Sequence, residues 1–168
     1  KRVLEGLGFV AENRAIFPNL TTRQNLEVGK KTKEKTNGGG AGWDIEKVFS
    51  LFPKLKDLQN SMGRNLSGGE QQMLTIGRSL MGNPELLLLD EPTEGLAPLI
   101  AQDVANMVLQ LKEEFGLSIL IVEQFSQRVL EYADICYVMD RGRVVFTGTP
   151  DEIKKDEKLQ HELLGVTG

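Results

Sequence analysis

Four consecutive leucines, Leu86 to Leu89, lead directly into Asp90-Glu91-Pro92. An apolar run without polar alternation is the pattern of a parallel strand covered on both faces. Ser118-Ile119-Leu120-Ile121-Val122 reads as a second buried strand, after a stretch from Leu99 to Phe115 that reads as a helix. Strand, helix and strand in this order predict an α/β fold with a parallel sheet. Leu7-Gly8-Phe9-Val10-Ala11 reads as a further strand near the start. With 168 residues there is room for about one domain and a small subdomain.

The interval between the first strand and the leucines is helical in pattern. Thr21 or Thr22 can cap a short helix through about Val28. Asp44 caps a helix carrying Ile45, Val48, Phe49 and Phe52, which Pro53 is expected to stop. Ser67 opens a helix to about Met81, ended by Gly82-Asn83-Pro84. Lys30 to Trp43 is basic, contains Gly38-Gly39-Gly40, and reads as an exposed loop. After the second long strand, Phe125 to Tyr132 reads as a helix. Ile135 to Met139 and Arg143 to Thr147 flank Asp140-Arg141-Gly142 as a hairpin, and Asp151 to Leu164 reads as two short helices. The expected organisation is an all-helical subdomain at 20–82 and an α/β subdomain at 83–168.

Two places carry candidate chemistry. Ligands of open parallel sheets bind beyond the carboxyl ends of the strands. Asp90 and Glu91 stand there, so one can hold a hard cation and the other can orient a water. The plainer reading is a polar strand end. The second place is Leu66-Ser67-Gly68-Gly69-Glu70-Gln71-Gln72, before an apolar helix. Ser67 and Glu70 have the spacing of a capping box. Two glycines in a first helical turn weaken the helix but let its free N–H groups approach an anion. Cap and phosphate site are compatible.

Composition excludes several classes. Lys and Arg number 20 against 24 Asp and Glu, a net charge of -4, which disfavours nucleic acid as the main partner. One Cys rules out an intrachain disulfide, and one His, His161, rules out chemistry that needs two. No apolar stretch is long enough to span a membrane, and Lys1 to Gly6 does not resemble a signal peptide. G-x-x-x-x-G-K-[ST] does not occur: Gly29-Lys30 is followed by Lys31, and Gln24 stands where the first glycine belongs.

Taken together, the motifs resemble the ATP-binding subunits of ABC transporters. Leu66 to Gln72 is similar to the family's signature motif and Glu85 to Glu91 to its Walker B motif. Glu94-Gly95-Leu96-Ala97-Pro98 falls where the D-loop lies, Val122-Glu123-Gln124 where the switch lies, and Gly148-Thr149-Pro150 resembles the motif that closes the domain. Val10-Ala11-Glu12-Asn13-Arg14 sits at the Q-loop position. Glu12 there, Ser67 to Leu74, the D-loop and the switch resemble the importer branch for branched-chain amino acids and amides, with urea importers similar.

The resemblance implies a partial P-loop NTPase-type parallel sheet with an inserted helical subdomain and a C-terminal β-hairpin plus helices. It implies ATP and Mg²⁺ as ligands, with Asp90 and Glu12 near the metal and Glu91 catalytic. Gln124 replaces the usual switch His; it can hydrogen-bond a phosphate but cannot carry the proton. Ser67, Gly68, Gly69 and Gln71 are expected to contact the nucleotide of a partner ATPase in a head-to-tail dimer. Transmembrane permease subunits are the other expected partner, docking around Glu12 to Phe17, at the cytoplasmic face of the inner (plasma) membrane. Without a Walker A loop or an initiating Met, the chain is expected to be the C-terminal two-thirds of a longer ATPase, inactive alone. A truncated interaction module and a soluble DNA- or ribosome-directed ATPase are the alternatives of other classes.

Overall fold

The computed structural model describes residues 6–30, 42–124 and 129–155. Residues 31–41 of the predicted loop, residues 125–128 of the predicted helix, and the C-terminal stretch from Asp156, with His161, lie outside the described residues. The chain divides after Val122 into two units.

In the first unit, β1 (Leu7–Val10), β2 (Leu86–Asp90) and β3 (Ser118–Val122) form one parallel sheet in the order β1-β2-β3. Leu7 pairs with Leu86 and Leu86 with Ser118, so each row of the sheet runs across all three strands. Val10, Leu87 and Leu89 are buried on one face. The opposite face is more open: Phe9, Leu120 and Val122 are 54%, 52% and 53% exposed. The expectation that β2 and β3 are covered on both faces is therefore corrected. An apolar run records that both faces tolerate burial, and one face of this sheet has no full cover among the described residues.

The helical part packs around one long helix. α1 (Thr22–Gly29) is capped by Thr21, whose hydroxyl accepts from the Gln24 N–H while the Gln24 side chain accepts from the Thr21 N–H. α2 (Ile45–Leu51) is capped by Asp44. α2 ends at Leu51, ahead of Pro53, as the sequence reading expects, and Pro53 then opens α3 (Pro53–Asp57) at its first position. A proline lacks the N–H that a first turn leaves unpaired, so it fits there. α4 (Gly68–Leu80) runs beneath α1, α2 and α3, burying Leu74, Ile76 and Leu80. α5 (Pro98–Glu113) joins β2 to β3, beginning one residue earlier and ending two earlier than its apolar pattern suggests.

Buried polar groups are matched to backbone. Asn25 is fully buried; its amide donates to the carbonyls of Phe17, Leu20 and Thr21 and accepts from the Phe17 N–H. That fixes the turn between β1 and α1. Thr22 N–H donates to Ser61 O and Gly63 N–H to Leu20 O, tying the start of α1 to the segment that leads into α4. Trp43 is half-buried, with its ring 4.7 Å from that of Phe115 and its N–H donating to the Asn83 side chain.

The second unit holds α6 (Val129–Tyr132), β4 (Cys136–Asp140), β5 (Arg143–Gly148) and α7 (Pro150–Lys155). β4 and β5 pair antiparallel, with Asp140 opposite Arg143. Arg141 and Gly142 have φ of 44° and 76°, the two left-handed residues of a tight hairpin turn. Thr149 caps α7: its N–H and hydroxyl donate to the Glu152 carboxylate, which lowers the Glu152 pKa. Cys136, expected to be buried, is half-buried, and desolvation raises its thiol pKa. No helix among the described residues is long and apolar enough to cross a membrane.

Gly29 is where the helices come closest. A Cβ there would lie 2.2 Å from the Arg78 carbonyl of α4. Gly29→Ala must push α1 away from α4, and overpacking of this kind costs about 1–3 kcal/mol. The expected result is a lower urea midpoint at unchanged m-value; an unchanged midpoint would contradict the packing.

Candidate functional site

Parallel pairing brings the loops after β1 and β2 to one edge of the sheet. Asp90 ends β2, half-buried and paired in register with Val122. Glu91 follows with φ of 45°, its N–H donating to the Val122 carbonyl at 2.8 Å. A left-handed backbone costs a side-chain-bearing residue roughly 1–2 kcal/mol. The loop then turns, Glu94 N–H donating to Glu91 O at 3.1 Å.

Three carboxyl groups meet there. The Glu94 pKa is raised from its ordinary 4.5, first by a hydrogen bond with the Glu91 side chain, then by the charges of Glu91 and Glu12. Glu12, exposed in the turn after β1, also hydrogen-bonds Glu94. Oxygen donors are what a hard cation takes, but these three carboxyl groups are not themselves arranged as a metal site, so phosphate and water would have to complete its shell. Among the described residues, no group of three or more His, Cys, Asp or Glu side chains could hold a metal ion.

The second element is the first turn of α4. Ser67 is the N-cap: its hydroxyl accepts from the Glu70 N–H at 3.4 Å and its N–H donates to the Glu70 carboxylate at 2.8 Å. The capping box of the sequence reading is thus present. The two glycines also have steric reasons. A Cβ on Gly69 would lie 2.5 Å from Ile100 of α5, and one on Gly68 would lie 2.8 Å from Nη1 of Arg14. Gln71 does not extend into solvent; its amide donates to the Leu66 carbonyl at 3.0 Å. Ser67 is exposed, Gly68 half-buried and Gly69 buried.

Glu12, Glu91 and the Ser67–Gly69 turn are connected through a residue the sequence reading left without a role. Arg14 donates from Nη2 to the Glu94 carbonyl and lays Nη1 on Gly68. Glu94, read only as part of a loop, supplies that carbonyl and a carboxyl whose pKa Glu91 and Glu12 raise. Their signal in the sequence was proximity to the residues singled out: Arg14 follows Glu12, and Glu94 follows Glu91, within one turn. Gln124 belongs to the second unit.

The sequence family described as ABC transporter matches residues 1–94, more than half of the chain. The chain belongs to the ATP-binding family of ABC transporters. BraG of Pseudomonas aeruginosa, a high-affinity branched-chain amino acid transport ATP-binding protein, is 39% identical over 161 residues, covering 96% of this chain and 67% of BraG. LivF of Archaeoglobus fulgidus, a probable branched-chain amino acid transport ATP-binding protein, is 34% identical over the same shares. The ADP conformation of MJ1267, an ATP-binding cassette of an ABC transporter, superposes with a TM-score of 0.72 at 29% identity, covering 99% of this chain and 70% of that one. The parallel-sheet α/β architecture is therefore that of an ABC cassette.

The raised Glu94 pKa of this ABC chain gives a pH test. Glu94 binds its proton more tightly in the native state than in the unfolded chain. Its contribution to stability is present below 4.5 and is lost as pH rises through the raised value. Glu94→Gln removes the titrating group. Melting temperatures measured across that window without nucleotide should fall for the wild type relative to Glu94→Gln; parallel curves would refute the raised pKa.

Proposed function

We propose that this chain is the signature- and Walker B-bearing part of an ATPase that energises an importer for branched-chain amino acids or related amides. The observation that carries the reading is the common rim to which parallel pairing brings the turns with Glu12 and Glu91, linked through Arg14 to the α4 turn. The substrate class rests on the likeness to BraG and LivF. ATP is the expected substrate and Mg²⁺ its companion. Asp90, ending β2, and Glu12 are the residues to hold the ion, with phosphate and water supplying the other ligands. Bound there, Mg²⁺ would neutralise charge on the transferred phosphate.

Glu91 orients the attacking water for in-line displacement at the γ-phosphorus, with ADP leaving. Its strained backbone supports that role, since strain of this kind concentrates at functional sites. Gln124 reads the γ-phosphate by hydrogen bonding without accepting its proton. Gly68 and Gly69 offer helix N-terminal N–H groups, and Ser67 its exposed hydroxyl, to the nucleotide of a second ATPase subunit in a head-to-tail dimer. Gln71 shapes that turn through Leu66 and contacts the nucleotide from its edge. Permease subunits dock along Glu12 to Phe17, where Phe17 is exposed and the Arg78 guanidinium lies 5.0 Å from its ring. The protein then works peripherally at the cytoplasmic face of the inner membrane.

Glu91→Gln in the full-length protein should lower ATP turnover by about 100-fold or more while ATP binding persists. Unchanged turnover would remove Glu91 from the reaction. The isolated 168-residue chain, which has no G-x-x-x-x-G-K-[ST], should bind ATP far more weakly than the full-length protein. Equal affinities in equilibrium dialysis would contradict that division of labour.

A further inference from the structure

We propose that Arg14 is a positioning residue for ATP hydrolysis, a clasp that holds the Ser67–Gly69 turn against the loop carrying Glu91 and Glu94. The inference rests on the ATPase reading above and adds to it a residue that acts through others.

Three segments distant in sequence converge on this guanidinium. It comes from the turn after β1, its Nη2 donates to the Glu94 carbonyl after β2, and its Nη1 lies against Gly68 at the start of α4. The Nη2 atom also lies 3.6 Å from where a Cβ on Gly95 would be, so the head is enclosed by glycine backbone on two sides. The planar head hydrogen-bonds one loop while its other nitrogen packs against the second turn; an ammonium is a single point of contact. A methyl on Gly68 would displace Nη1, whereas one on Gly95 would meet Nη2 at ordinary contact distance.

The backbone of Arg14 is arranged to aim the side chain. Its φ is 44°, its N–H donates to Ala11 O at 3.4 Å, and its carbonyl accepts from the Ile16 N–H at 2.6 Å. A left-handed arginine persists only where its surroundings over-determine it. A cation beside the positive end of a helix is unfavourable taken alone. The attachment is to a backbone carbonyl, so it does not depend on the charge state of the Glu94 carboxyl.

The functional consequence is coupling. In the proposed dimer the Ser67–Gly69 turn serves the partner's nucleotide, whereas Glu91 serves the chain's own. Arg14 makes these two elements move as one body, so closure at one site sets the water-orienting carboxylate at the other.

The test compares Arg14→Met and Arg14→Lys with wild type in the full-length protein with its permease subunits. Arg14→Met should lower kcat by about tenfold or more, the scale set by sub-ångström misplacement of catalytic groups, with KM for ATP within about twofold. Arg14→Lys should not restore kcat. Hydrogen exchange should quicken at the backbone amides of residues 67–70 and 94–96 in both variants and stay unchanged in α1. A kcat of Arg14→Met within about twofold of wild type overturns the proposal, as does a raised KM at unchanged kcat, which would make Arg14 a direct nucleotide ligand. Full rescue by lysine overturns the clasp in favour of simple charge. If Arg14→Met fails to fold, Arg14→Lys carries the test. If the wild type does not hydrolyse ATP, the ATPase reading fails, and unchanged exchange in both variants overturns the clasp separately.

Discussion

Strands that run parallel and in register must all finish at the same edge. β2 is bonded to β1 on one side and β3 on the other, row for row from Leu7–Leu86–Ser118 upward. Every loop of chemical interest in the first unit therefore leaves from one rim: the turn with Glu12 and Arg14 from β1, and the turn with Glu91 and Glu94 from β2. Neither carboxylate has to be carried far from its strand, so its position is set by main-chain pairing rather than by a long loop. The α4 turn packs closely at the same rim, Gly69 against Ile100 and Gly68 against Arg14.

The helical part reaches order by a different route. Its segments are short, and short helices gain little from backbone bonds alone. They are instead set by side chains that complete the backbone: Thr21 with Gln24, Ser67 with Glu70, and the buried amide of Asn25 serving several groups at once. The same device appears in the second unit, where Thr149 and Glu152 begin α7. The Gly148-Thr149-Pro150 motif thus has a local physical meaning, a strand end, a cap and a first helical residue.

The strands and most helix starts were legible because their signals are local. Asp44, Thr21 and Ser67 cap where the pattern places them, and Leu86 to Leu89 form the central strand. Pro53 bars α2 from continuing and also starts α3, and only the first of these roles is legible in the pattern. Burial of the sheet was overestimated because apolar sequence states what a face can accept, not what lies upon it. Arg14 escaped notice for a third reason. Its importance arises from the meeting of three segments, and no spacing along the chain encodes that. Glu94 was hidden similarly, since its raised pKa depends on Glu91 and Glu12 together.

The left-handed backbone at Glu91 has an evolutionary consequence. Glycine would occupy that conformation without penalty, so relief of strain is a single substitution away and would make the fold more robust. The same change deletes the carboxylate. On the proposed role of Glu91, robustness of the fold and reactivity of the rim pull in opposite directions at this position.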